Sequence, residues 1–140
     1  MPDEKYLSAA SKHLHDAELL LAADRSDNAA YLSGYVAECA MKGLLQAQHG
    51  FMGIGFGHDL PAMSRAAASL AAILSPVATR YMLPSGPDEA ALFTSWHPRL
   101  RYNADLAIPK PTAQAWLRAA KSFHRQIIVP LRLDGFTDPT

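Results

Sequence analysis

Glu38 and Lys42 stand four residues apart in "GYVAECAMKGLL", a stretch that is otherwise almost wholly apolar. That spacing puts both on one face of a helix, where an exposed pair contributes only about 0.2–0.5 kcal/mol. Leu32, Val36, Ala37, Cys39, Ala40, Met41, Leu44 and Leu45 cover most of the circumference of the same helix, so little solvent-facing surface is left for two charges. Burying them costs several kcal/mol per ion, and a hydrophobic replacement is often as stable. Fold stability alone is therefore a poor reason for the pair. Two uses stay open: a specificity device at a helix or subunit interface, or the wall of a polar cleft facing His58, Arg101 or Tyr102. Tyr31 and Tyr35 extend the polar stripe towards the N-terminal end of the helix.

The other candidates for chemistry are scattered. His58 precedes Asp59 at the start of a helix; Asp59 is a natural cap, while His58 either packs a turn or offers a titratable proton to a cleft beside the second helix. Gly53, Gly55 and Gly57 lead into the same helix, but no strand precedes them and the lysine and hydroxyl of a P-loop are missing, so they read as a connection. The six histidines occur singly or as His13 and His15, which point to different sides of a helix, and no ligand set for a metal or cofactor is complete. No Gly-x-Ser-x-Gly elbow is present, and Cys39 sits in surroundings too apolar for a thiolate. Arg118, Lys121 and Arg125 form a basic stripe, which suits either a phosphate backbone or the wet side of a helix. Trp96 and Tyr102, beside Arg99 and Arg101, are rings that could stack on bases.

The elements that must position these groups are helical. Leu7, Ala10, Leu14, Ala17 and Leu21 repeat at steps of three and four, which predicts a first helix opening near Asp3. Ser26 and Asp27 are candidate caps for a second helix that runs to about His49, with a central place in the fold. Asp59 and Pro61 open a third helix with Met63, Ala66, Leu70 and Ile73 on its apolar edge. A shorter helix is expected from Ser75-Pro76, and another after "LPSGPDE", where Ser85 and Asp88 have capping-box spacing. Pro98, Pro109 and Pro111 bound an irregular stretch. The last helix opens at Thr112, packs through Trp116, Ala119, Ala120, Phe123 and Ile127, and is ended or kinked by Pro130.

Residues 1–140 have the length of one domain. Thirteen basic and thirteen acidic side chains balance, so net charge does not argue for nucleic acid or membrane. The bases gather between Trp96 and Arg132, against only Asp105, which suggests a positive C-terminal surface, an acidic face meeting a basic one between subunits, or an ordinary solvated helix face. One cysteine excludes an intrachain disulfide, and the charged start and lack of a long uncharged apolar run predict a cytoplasmic protein outside the membrane.

"HLHDAELLLAADRSDNAAYLSGYVAECAMKGLL" resembles the first two helices of HEPN domains, the helical domains named for nucleotide binding in higher eukaryotes and prokaryotes. "GHDL" after the second helix and "RLRY" before the last are similar to the same pattern, and the resemblance spans about Ser8 to Ile128. It implies an all-α, antiparallel four- to five-helix up-and-down bundle that forms a two-fold dimer. Tyr35, Glu38, Lys42, His58, Arg99, Arg101 and Tyr102 would line its cleft. Many members are encoded beside a minimal nucleotidyltransferase as toxin–antitoxin pairs, which implies a binding module for a nucleotide, an RNA phosphate or that partner protein. Others are metal-independent ribonucleases that use an arginine, four to six residues, then a histidine. Arg118 and His124 alone match that spacing here, but inside the last helix and on different faces, where the family has the pair at a helix start. In a ribonuclease, His124, or else His58 or His97, would be the acid–base group. A structural dimer without catalysis is the third expectation.

Overall fold

α1 (Tyr6–Ala22) stops at Asp24, which takes the left-handed conformation at φ 60°. Arg25 N–H then reaches back to Leu20 O (2.8 Å) and Asp24 N–H to Leu21 O (3.0 Å), the paired bonds that close a helix whose last carbonyls lack partners. The chain turns at once into α2 (Ser26–His49). In this computed structural model residues 5–49, 57–73, 81–103 and 107–138 are described. The remaining helices are α3 (Leu60–Ile73), α4 (Pro87–Ser95), α5 (Lys110–Phe123) and the short α6 (Val129–Leu133), with a 3-10 turn at Pro98–Tyr102 and a π turn at His124–Ile128. Among the described residues every regular element is helical and none is a strand, as the periodicity predicts.

α2 is the axis of the molecule: α1, α3, α5, the π turn and the 3-10 turn all pack on it. Its residues from Val36 to Leu45 are buried without a break. Met41 and Leu45 on α2 join Met63 on α3 and Phe123, Ile127, Ile128 and Leu131 at the C-terminal end in one core, each such side chain contributing about 1.5–3 kcal/mol on leaving water. Leu7, Ala10 and Ala17 supply the buried edge of α1, while Leu14 and Leu21 are half-buried. Trp116, Ala119, Ala120, Phe123 and Ile127 bury the predicted face of the last helix.

Several expected boundaries are corrected. α2 begins at Ser26, so neither Ser26 nor Asp27 is the residue before the helix. Asp27 instead accepts the N–H groups of Ala107 (3.1 Å) and Ile108 (2.8 Å), tying the end of the irregular stretch to α2. Ser85 and Asp88 form no capping box: Gly86 precedes α4, and Asp88 pairs with Arg118. α5 starts at Lys110, two residues before Thr112, because Pro111 fits a first helical turn, where no intrahelical N–H bond is lost. The Ser75-Pro76 helix and Gly50, Gly53 and Gly55 lie outside the described residues. Pro130 does not end the chain of helices. Having no N–H, it leaves the ladder one donor short, and the turn before it widens, Val129 N–H bonding to His124 O five residues back.

No side chain of Lys5 caps α1. That role falls to Asp138, whose carboxylate accepts Leu7 N–H and Ser8 N–H at 2.9 Å each. No helix among the described residues is long and apolar enough to cross a membrane.

Candidate functional site

Tyr31, Tyr35, Glu38 and Lys42 follow one another along α2 at steps of four, three and four, which aligns them on one face. Glu38 and Lys42 are both buried, at 5% and 9% exposure. Lys42 Nζ lies 3.6 Å from Glu38 Oε2 and 6.0 Å from the centroid of the Tyr6 ring. A carboxylate taken out of water needs its lone pairs satisfied, and one lysine does not exhaust them. His58 supplies the rest, its Nδ1–H donating to Glu38 Oε1 at 2.6 Å. The loop geometry makes this possible. Gly57 adopts φ 57°, a conformation open to glycine, and Asp59 Oδ1 accepts Ala62 N–H at 3.0 Å to cap α3 as predicted, so His58 is fixed between a turn and a cap. Its side chain is 49% exposed while that of Glu38 is 6% exposed. The histidine is the outer end of the buried charge line.

Aromatic rings form the adjoining wall. Tyr35 stands edge-on to Tyr31 (5.1 Å), Trp96 (5.0 Å) and His58 (5.9 Å), and meets His13 at 5.8 Å. Tyr31 donates its hydroxyl hydrogen to the Tyr35 hydroxyl at 3.2 Å, and its backbone carbonyl accepts Trp96 Nε1–H at 2.9 Å. The indole can lie this close only because position 34 is glycine: a Cβ there would sit 2.1 Å from Trp96 ring atoms. Burial, then the contact with the Tyr31 hydroxyl, pushes the Tyr35 phenol well above its ordinary range, so the phenol stays protonated. The Tyr31 hydroxyl, and next Tyr102, hold the Arg101 guanidinium yet more firmly in its charged form.

Of the predicted site residues, Tyr35, Glu38, Lys42 and His58 come together. Arg101 and Tyr102 adjoin them through Tyr31, on the 3-10 turn. Tyr102 is 75% exposed with the Arg101 Cζ 4.8 Å from its ring centroid, and Arg99 is exposed on the same turn. Arg118 and His124 belong elsewhere. Arg118 donates to both oxygens of Asp88 on α4 (2.9 and 3.3 Å), whereas His124 Nε2 is 3.0 Å from Ser11 Oγ on α1. Each is held by a different helix. Trp96 is not a ring for stacking on bases, since it is 5% exposed and part of the core.

The chain matches no protein-family model, no curated protein and no solved structure. The site therefore stands on its own geometry. His13 was not among the predicted site residues, and Trp96 was expected as a ring for stacking on bases, not as part of a buried wall. His13 lies three residues after buried Ala10 and four before buried Ala17, a spacing that already puts it on the inner face of α1. Trp96 had a signal in Gly34, an isolated glycine inside a helical pattern, which marks close approach of another group.

Proposed function

We propose that this chain is a HEPN-like binding module, an antiparallel helical bundle acting as a two-fold dimer, that holds a nucleotide or RNA phosphate and works with a minimal nucleotidyltransferase. The observation that carries the reading is the buried Glu38, clamped between Lys42 and half-exposed His58. A hydrophobic trio is often as stable, so we read the charges as kept for what they face: the Tyr35–Tyr31 wall and, beyond it, the cationic Arg101. The E-x-x-x-K pair, "GHDL" and "RLRY" support the family assignment at the residue level.

The test is titration of AMP, ATP and a labelled single-stranded RNA into the wild type and into the double variant Glu38→Leu/Lys42→Met, which removes the charges while keeping apolar volume. Binding to the wild type and its loss in a folded double variant is the expected result. Equal binding by both would sink the role of the seam, and absence of binding to all three ligands would sink the module. RNA cleavage is a second reading with one specific support: His58 is oriented through Nδ1 by a buried carboxylate, which leaves Nε2 as the group for proton exchange. RNA recovered intact after prolonged incubation with the wild type would remove that reading.

A further inference from the structure

We infer that the open pocket between the start of α2 and the 3-10 turn is an oxyanion site that receives the phosphate group of the bound nucleotide. This rests on the nucleotide-binding reading above and names the part of the molecule that would meet the phosphate. The pocket has a volume of about 280 Å³ and is lined by Arg25, Asp27, Asn28, Leu100, Arg101 and Asn103. Four of these six carry N–H donors, two guanidinium forks and two carboxamides, and Arg25 has a further interaction of its own, so Arg101 is the guanidinium assigned to the phosphate. A guanidinium presents paired donors that match two oxygens of a phosphate, and its charge persists at any physiological pH.

The electrostatics of the lining favour an anion. Among the described lining residues Asp27 is the one acid, and both carboxylate oxygens are engaged by the N–H groups of Ala107 and Ile108. Those bonds fix the pocket wall and draw the carboxylate's lone pairs towards the backbone. Among the described residues no carboxylate lies within ion-pairing distance of Arg101; its neighbours are the Tyr31 hydroxyl and the Tyr102 ring. The contrast with Arg118 is direct. Arg118 already has the two oxygens of Asp88, so the terminal helix's basic stripe has its leading charge neutralised within the chain.

Arg101 also joins the pocket to the rest of the site. On one side it lines the cavity, and on the other it lies against Tyr31, whose hydroxyl bonds to Tyr35, the ring that packs on His58. Exposed Tyr102 lies in the chain between the lining residues Arg101 and Asn103, and the ring face that Arg101 leaves open would serve as a platform for a base or sugar, a contact that tolerates any base because each has a flat π-face. A phosphate in the pocket and a ring over Tyr102 is an arrangement a nucleoside monophosphate can span.

The experiment titrates inorganic phosphate, adenosine and AMP into the wild-type chain, into Arg101→Gln and into Arg118→Gln, with circular dichroism to establish that each variant is folded. AMP is expected to bind more tightly than adenosine, and Arg101→Gln to weaken AMP by about tenfold or more, the loss expected for a hydrogen bond to a charged group. Arg101→Gln should weaken adenosine by far less than it weakens AMP, and AMP affinity should be unchanged in Arg118→Gln. Phosphate and AMP bound equally, both lost in Arg101→Gln, would support the pocket as a site for the free anion. AMP binding that survives Arg101→Gln but fails in Glu38→Leu/Lys42→Met overturns the pocket and leaves the seam reading intact. No binding by phosphate or AMP overturns the pocket, and silence from RNA as well overturns the module.

Discussion

Glu38 accepts from His58 at one oxygen and faces Lys42 at the other, so removing Glu38 leaves Lys42 buried without its partner. Glu38→Ala should cost about 3–5 kcal/mol in chemical denaturation, the range for breaking a buried pair from one side. Glu38→Leu/Lys42→Met should recover most of that loss, because it removes both charges together. A double variant no more stable than the single one would mean that the pair is not the source of the cost. The two charges were legible in the sequence by their contrast with the residues around them. Their partner was not: His58, Arg101 and Tyr102 were equal candidates, because the path of the chain between α2 and α3 decides among them and periodicity carries no information on a loop. Trp96 was misjudged for a related reason. Its arginine neighbours suggested an exposed ring, while its packing depends on the absent side chain of Gly34, sixty-two residues earlier.

At the scale of elements, α1 meets the π turn and α6 through polar groups that depend on a neutral His124. Arg132 donates to Ser11 Oγ at 3.4 Å and Ser11 Oγ lies 3.0 Å from His124 Nε2, so a neutral Nε2 can accept the serine hydrogen. Burial, then the charge of Arg132, lowers the His124 pKa below its ordinary 6.5; burial, then Lys12, does the same for His13. The unfolded chain therefore takes up protons at a higher pH than the folded one. The stability from both groups is full above pH 6.5 and falls as pH drops through that value towards the lower folded ones. The melting temperature should fall between about pH 7.5 and pH 5.5, and His13→Asn/His124→Asn should flatten that slope. An unchanged slope in the double variant would assign the pH dependence to other groups. These helices were readable from their apolar faces, whereas Pro130 signalled only an end or a kink, and the ladder widens into a π turn before it instead. Their first residues were less legible, since Ser85 and Asp88 satisfy the spacing of a cap and Arg118, thirty residues on, claims Asp88 instead.

For the whole molecule, the all-helical class followed from periodicity because helical apolar spacing persists through nearly every segment. How the helices assemble with other molecules is a separate matter, set by surface chemistry that a hydrophobic pattern does not encode. The dimer reading predicts a sedimenting mass of twice 15.2 kDa at micromolar concentration, and a single species at the monomer mass would remove the subunit cleft from the proposal while leaving the pocket of Arg25 and Arg101 in place. The Asp138 carboxylate also has a bearing on the order of events during synthesis. The first helix leaves the ribosome early, yet the group that satisfies its Leu7 and Ser8 amides is made some 130 residues later. α1 can coil as soon as it emerges, but its first turn stays unlatched until Asp138 has been made, so the closure of a local turn waits on a distant part of the sequence.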